Sequence, residues 1–325
     1  MSKYTKRGDG LQPIGAIMKQ AGLEPPSRSV MRQIEASVAI RERPPMPSEL
    51  AFHHTYFCQT ALPHHRPEGR NWYRINGRVY LNIQATGGAH PETGEWIEFP
   101  LPFGPAARLI LIHLDTEAIR TDSPAIDLGG SMTAFVKKIQ GGRNPNGPEL
   151  RVFKEQARSL ATAIFIMGEI SGPNVPIPTT KQAAVPIVSG LELWYPKDAA
   201  QRVLWPSYVH LSPNYFASLQ KHAVPLDFRA VGALAHNALA LDIYKWLAQR
   251  LWRIRPNTWD QITWKNLQEQ FGLNYSQIRF FRRTFLRTLP QVLAQYPTAE
   301  KNVTWDRGGL NLRLTAPPVP RKGLT

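Results

Sequence analysis

Between residues 228 and 315 the helix and strand signals follow one another so closely that few architectures can hold them. Asp227 suits an N-cap for a helix opening at Phe228, and from Ala238 to Ile254 apolar residues at 239, 243, 246, 247 and 251 trace one core-facing stripe. Trp259-Asp260-Gln261-Ile262 reads as a short strand, Thr263 caps Trp264 to Phe271, and Gly272 stands where a C′ glycine belongs. Asn274 or Ser276 starts a further helix running toward Pro290. Lys301 to Trp305 and Leu310 to Leu314 are short strands around Asp306-Arg307-Gly308-Gly309, a hairpin signal. Helix, short strand, helix, turn, helix, hairpin is the order of a winged helix-turn-helix domain.

The same order occurs once before. Pro105 suits the first turn of a helix reaching Arg120, although Leu109-Ile110-Leu111-Ile112 alone fits a buried strand equally well. Ile126-Asp127-Leu128 is a short apolar segment, Ser131 caps Met132 to Ile139, and the glycine- and asparagine-rich stretch 141–147 is a turn. Pro148 opens the next helix, with Leu150, Phe153, Ala157 and Leu160 on one face and Arg151, Lys154 and Arg158 on another. Strand-like Ile164 to Ile170 and Ile187 to Tyr195 enclose a loose, proline-containing connection. Upstream, Phe52 to Thr60 is aromatic and β-prone, and Val79–Ile83 and Glu95–Phe99 read as a strand pair around Gly87-Gly88, Pro91 and Gly94. Residues 1–50, rich in proline and mixed charge, read as an arm with a short helix from Ser29 to Arg41. The expectation is an α+β chain: a flexible or partner-binding arm (1–50), an N-terminal winged-helix domain with added strands (51–205) and a C-terminal winged-helix DNA-binding domain (206–325).

Charge says where such a chain would act. The 39 Lys and Arg outnumber the 24 Asp and Glu, for a net +15. From Pro206 onward 16 basic residues face 6 acidic ones, so +10 of that excess lies in the last 120 residues. This points to an anionic partner, with nucleic acid the foremost. The longest apolar run, Leu109 to Leu114, is far short of the roughly 18 residues of a membrane span, and no apolar signal region follows the basic N-terminus. The single cysteine, Cys58, leaves no intrachain disulfide and suits a reducing cytoplasm.

The helix that begins near Ser276 carries the most specific pattern. Ile278, Phe281, Phe285 and Leu289 fall within one sector, with Arg279, Arg283 and Arg287 on another and Arg282 at the border. Such a helix buries its aromatic side and leaves guanidiniums for a major groove, where Arg bonds guanine O6 and N7 or grips phosphate. Ser276 and Gln277 join them as candidate contacts. Lys301, Arg307 and Arg313 are candidate wing contacts. Arg151, Lys154 and Arg158 are the parallel contacts of the first domain, although Glu149 and Glu155 beside them equally suit a protein partner.

Catalytic chemistry is not indicated. His53, His54, His64 and His65 bracket Cys58, but adjacent histidine pairs fit no common zinc spacing, and these residues read as partly exposed polar positions. There is no phosphate-binding Gly-x-x-x-x-Gly-Lys-Ser/Thr loop, no His-apolar-His site of a strand-nicking enzyme, and Gly129-Gly130-Ser131 reads as turn and cap. No metal, cofactor or enzymatic activity is expected.

Three stretches resemble the plasmid-encoded RepA replication initiators: Pro102-Phe103-Gly104-Pro105-Ala106-Ala107-Arg108-Leu109-Ile110-Leu111, Thr116-Glu117-Ala118-Ile119-Arg120-Thr121, and Ile126-Asp127-Leu128-Gly129-Gly130-Ser131-Met132. Phe153-Lys154-Glu155-Gln156-Ala157-Arg158-Ser159-Leu160 is similar to them too, and the likeness spans about residues 80–290. The resemblance implies two winged helix domains that read repeated origin sites (iterons) in duplex DNA and help open an AT-rich segment. It further implies recruitment of a host initiator and the replicative helicase, repression of the protein's own promoter, and a homodimer beside the origin-binding monomer. The alternative is a dimeric winged-helix transcriptional repressor without a role at an origin. The sequence departs from the family in its long His- and Pro-rich N-terminal part.

Overall fold

The computed structural model describes residues 27–89, 93–129, 131–170, 180–191, 208–272 and 275–320. Residues 1–26 of the predicted arm, Asn274, and residues 192–195 of the predicted strand from Ile187 lie outside them.

Side-chain caps start most helices where the sequence places them. Ser27 accepts from Val30 N and opens α1 (Arg28–Glu42), close to the expected Ser29–Arg41. The buried strand β1 (Leu50–His54) ends because the His54 ring accepts from Tyr56 N and turns the chain into α2 (Thr55–Gln59), so only the first third of the β-prone run 52–60 is strand. β2 (Asn71–Asn76) and β3 (Val79–Gln84) form a hairpin turning at Gly77, whose φ of 58° favours glycine. β4 (Gly87–Ala89) pairs with β5 (Trp96–Glu98). The expected strands near 79–83 and 95–99 therefore exist, with different partners.

The family-like stretch forms α3 (Gly104–Thr121), a helix and not the alternative strand, buried almost continuously from Gly104 to Thr116. β6 (Ala125–Asp127), α4 (Met132–Ile139, capped by Ser131) and α5 (Gly147–Thr162, capped by Asn146) follow. Next come β7 (Ile164–Ile170), β8 (Thr180–Pro186), β9 (Val188–Leu191) and β10 (Tyr208–Leu211). The partner of β7 is β8, which lies in the connection read as loose, while Val188–Leu191 pairs with β10. Thr-Lys-Gln-Ala-Ala-Val-Pro has no alternation of large apolar residues, so the strand signal was absent.

Ser212 caps α6 (Pro213–His222), β11 (Ala223–Asp227) pairs with β1, and Asp227 caps α7 (Phe228–Leu234). α8 (Ala238–Arg250) is buried along nearly its whole length. β12 (Trp259–Thr263) leads into α9 (Trp264–Phe271), capped by Thr263, then α10 (Ile278–Ala294), β13 (Val303–Trp305) and β14 (Gly309–Arg313). Pro290, the expected end of the last long helix, lies inside α10. A mid-helix proline costs about 3 kcal/mol. Past it α10 buries Val292 and Leu293, each worth about 1.5–3 kcal/mol, which is enough to carry the helix on. Gly272 has a φ of −125° and is no left-handed cap. A Cβ there would stand 2.3 Å from the Phe281 ring, so glycine serves close packing.

The molecule is α+β, with sheet orders β2-β3-β7-β8, β6-β10-β9 and β12-β14-β13 among the described residues. Both halves run helix, strand, two helices, hairpin. In the second half the short strand β12 joins the hairpin through β14; in the first, β6 pairs with β10 and the hairpin joins β2–β3. One hydrophobic cluster reaches from Ala51 to Leu312 and holds both halves. α1 lies on the second half: Gln295 Nε2 donates to Gln33 O at 2.9 Å and Arg229 Nη1 to Ala39 O at 3.0 Å.

Candidate nucleic-acid interface

α10 owes its orientation to one apolar stripe. Phe281, Phe285 and Leu289 are 0% exposed, and Phe285 meets Trp264 and Phe271 of α9 at ring separations of 5.9 and 6.0 Å. Ile278, expected in that stripe, is the first residue of the helix and is exposed. With the stripe inward, Arg279, Arg283 and Arg287 are exposed, and none has a carboxylate within 4 Å among the described residues. The guanidiniums of Arg279 and Arg283 lie 4.8 and 5.5 Å from the ring of Phe280. Ser276 and Gln277 are exposed just ahead of the helix, and Gln277, at the N-cap, makes no side-chain cap bond. The unfilled N–H groups of that end add positive potential to the arginines.

Arg282 is placed differently. Its Nη2 donates to the carbonyl of Asp306 at 3.2 Å, and its guanidinium lies 5.0 Å from the Trp264 ring. It links α10 to the hairpin turn. Trp264 Nε1 donates to the same carbonyl at 3.1 Å. The Asp306 carboxylate closes the turn, accepting from Gly308 N at 2.6 Å, Gly309 N at 3.1 Å and Asn311 Nδ2 at 2.8 Å. The Asn311 bond first, and then those two N–H groups, hold the carboxyl below its ordinary range. Gly309 is required by close approach, since a Cβ would stand 2.0 Å from Ile262 O of β12. Helix and hairpin are thus one unit, with Arg307 exposed at its tip.

Lys301 and Arg313 are exposed along the hairpin, Arg313 with its guanidinium 5.9 Å from the Trp259 ring. Sequence reasoning missed the aromatics of this surface: Trp259, Phe280 and Trp305 are 51%, 37% and 45% exposed. A signal existed for Phe280, which falls beside the buried stripe and between arginines.

In the first half Arg151 and Lys154 are exposed on α5 and Arg158 is half-buried. They line a groove of about 330 Å³ with Arg66, Glu98 and Glu155. Arg66, a residue the sequence reading passed over, pairs with Glu155 at 3.4 Å. Burial first, then Arg158, lowers the Lys154 pKa. This face carries two carboxylates among its cations, unlike α10.

Three histidines of the cluster, His53, His54 and His64, are structural, and His65 is exposed. His53 and His54 are 0% exposed, which corrects their reading as partly exposed positions. Each ring has a partner that makes burial tolerable. His53 Nδ1 donates to Asp115 Oδ2 at 2.7 Å, and His54 Nε2 meets Ser218 Oγ at 3.0 Å. His64 Nε2 lies 2.9 Å from Asp242, whose carboxylate also holds Arg108 and Lys245. Burial pushes the Cys58 thiol up to about 12. No group of three or more His, Cys, Asp or Glu among the described residues is placed to hold a metal ion, and no helix among them is long and apolar enough to cross a membrane.

Two solved structures are similar to the chain. The crystal structure of SeMet derivatives of domains 2 and 3 of RctB has a TM-score of 0.49 at 12% identity, covering 80% of this chain and 98% of that one. A second crystal structure of RctB domains 2–3 has a TM-score of 0.45 at 10% identity, covering 78% and 94%. No curated protein sequence matches the chain. The family model of the plasmid-encoded RepA protein matches residues 101–266, which take in α3 to α8 and the first turn of α9, about half of the sequence. The chain belongs to that family, the replication initiators whose motifs residues 102–160 resemble.

Proposed function

We propose that this protein is a non-enzymatic initiator of plasmid replication that binds repeated duplex sites at its origin through two winged helix-turn-helix domains. The observation that carries this is the row Arg279, Arg283 and Arg287, with no carboxylate within 4 Å among the described residues, on a helix whose other side is buried and whose neighbouring hairpin is locked to it. Family membership supports the plasmid origin as the target. In this reading α10 enters a major groove, with Ser276 and Gln277 at its leading end. Lys301, Arg307 and Arg313 flank it on the sugar-phosphate backbone or minor groove. The α5 face with Arg151, Lys154 and Arg158 meets the next turn of the same DNA. Bound copies help melt an AT-rich segment and bring in the host initiator and helicase in the cytoplasm, and a dimer represses the protein's own promoter.

Footprinting on DNA flanking the gene tests this. Two readers on one chain should protect a repeat of about 20 base pairs, two turns of 10–10.5 each. Protection of one short half-site per molecule would remove the first domain from the interface. A circle carrying the gene and its flanking DNA as sole origin should be maintained; loss of the circle, with the footprint intact, would leave a repressor.

A further inference from the structure

A cleft of about 320 Å³ opens where α1, the α4–α5 region and the α7–α8 turn meet, far along the chain from the arginines of α10. Its volume is at the lower end of small-ligand sites, roughly 300–1,000 Å³. The backbones of the two halves touch in this region, where Gly141, at φ 70°, faces Gly232: a Cβ on Gly141 would stand 3.2 Å from Gly232 Cα. Neither residue can send a side chain into the space. Pro105, Pro148, Val152 and Ala235 supply apolar lining, and Val152 is 44% exposed.

The polar side of the cleft sets two arginines, Arg32 and Arg143, against one carboxylate, Glu149, which is paired with Arg143 and also feels the charge of Arg32. Arg143 is committed to Glu149 and to Gln140 Oε1. Arg32 is not committed. It bonds only the carbonyl of Arg28 in its own helix at 3.2 Å, and no carboxylate lies within 4 Å of it among the described residues. His236 lies beside it, with Nε2 3.2 Å from Ser29 Oγ and 3.3 Å from Gln33 Nε2 of α1. Burial, and then the charges of Arg32 and Arg143, keep His236 below its ordinary pKa. The site holds more positive charge than it neutralises, next to an apolar wall.

We propose that this cleft binds a small amphipathic anion, a carboxylate or phosphate head on an apolar body, with Arg32 as the cation that takes the head. A ligand here would touch the N-terminal helix and both halves at once, and so stabilise their joint arrangement by mass action.

The test uses the full chain and needs no DNA, so it stands apart from the proposed function. The probe is 8-anilinonaphthalene-1-sulfonate, an aromatic body with one anionic head, followed by its fluorescence. Saturable binding of one probe per chain is expected, weakened about tenfold or more by Arg32→Gln and by Val152→Glu. Both residues are on the surface and neither holds the core, so the melting temperature should stay put. Octanoate and hexyl phosphate are the competitors: displacement by the first alone assigns a carboxylate head, by the second alone a phosphate, and by both an unselective anion site. Equal probe binding by the native chain and both variants, or displacement by neither competitor, overturns the proposal.

Discussion

Gly272 and Arg282 show how one side chain is assigned a task by its neighbours. Gly272→Ala would push a methyl to 2.3 Å from the Phe281 ring, and the ring is buried among Tyr275 and Phe285 with nowhere to move. Overpacking of this kind costs about 1–3 kcal/mol, read as a lower urea midpoint with an unchanged slope. Arg282 and Arg283 are adjacent in sequence and equally charged, yet Arg282 bonds the hairpin carbonyl whereas Arg283 leans on an exposed ring. Arg283→Ala should therefore weaken binding to the specific repeat by about 1–3 kcal/mol and relax the preference at one base position. Arg282→Ala should weaken specific and random DNA alike, by loosening the hairpin. Competition binding with a repeat mutated at single positions separates the two; a uniform loss in Arg283→Ala would demote that residue to a phosphate contact.

The α9–α10–hairpin unit was legible in the sequence because its determinants are local: a threonine cap, a stripe at helical spacing, and an Asp-x-Gly-Gly turn. Element boundaries written in caps were found at Ser131, Asp227 and Thr263. What escaped was long-range. β3 takes β7 as a neighbour across more than 80 residues because Leu81 and Ile83 need Met167 and Phe165 beside them, and no local signal records that choice. The same holds for the site: the arginine row could be counted off a helical wheel, but the lock between Arg282, Trp264 and the Asp306 carbonyl joins residues some 20 to 40 apart. Asp306→Ala removes the carboxylate that ties Gly308, Gly309 and Asn311. DNA affinity should fall with little change in the urea midpoint of the whole chain, since the turn is exposed. Equal affinity would show that the hairpin does not touch DNA. A carboxyl with a depressed pKa supports the turn above the ordinary value of 3.8 and stops supporting it as pH falls through the folded value, so the turn persists through neutral and mildly acid solution.

The two halves share one core, and charge is buried at their junction. Arg108 of α3 reaches across to Asp242 of α8, at 2.8 Å through Nε and 2.6 Å through Nη2, and Lys245 and His64 complete the carboxylate's set. A second carboxylate, Asp115, accepts from His53 Nδ1 and from the Tyr215 hydroxyl at 2.7 Å, joining β1 to α3 and α6. These groups tie stability to pH. Burial holds the His53 and His64 imidazoles below their ordinary 6.5, His54 at about 4 and His113 at about 3. Once unfolded, each of these rings would titrate near 6.5. Below that pH the unfolded chain binds protons that the folded chain refuses. Unfolding free energy should therefore hold on the alkaline side of 6.5 and decline as pH falls from 6.5 toward the folded values. Each fully responding histidine adds a slope of about 1.4 kcal/mol per pH unit. Urea unfolding followed from pH 7.5 to 5 by tryptophan fluorescence measures this, and His113→Phe should flatten the slope by up to one proton's worth. An unfolding free energy independent of pH over that interval would mean that these rings titrate in the folded chain as they do in the unfolded one.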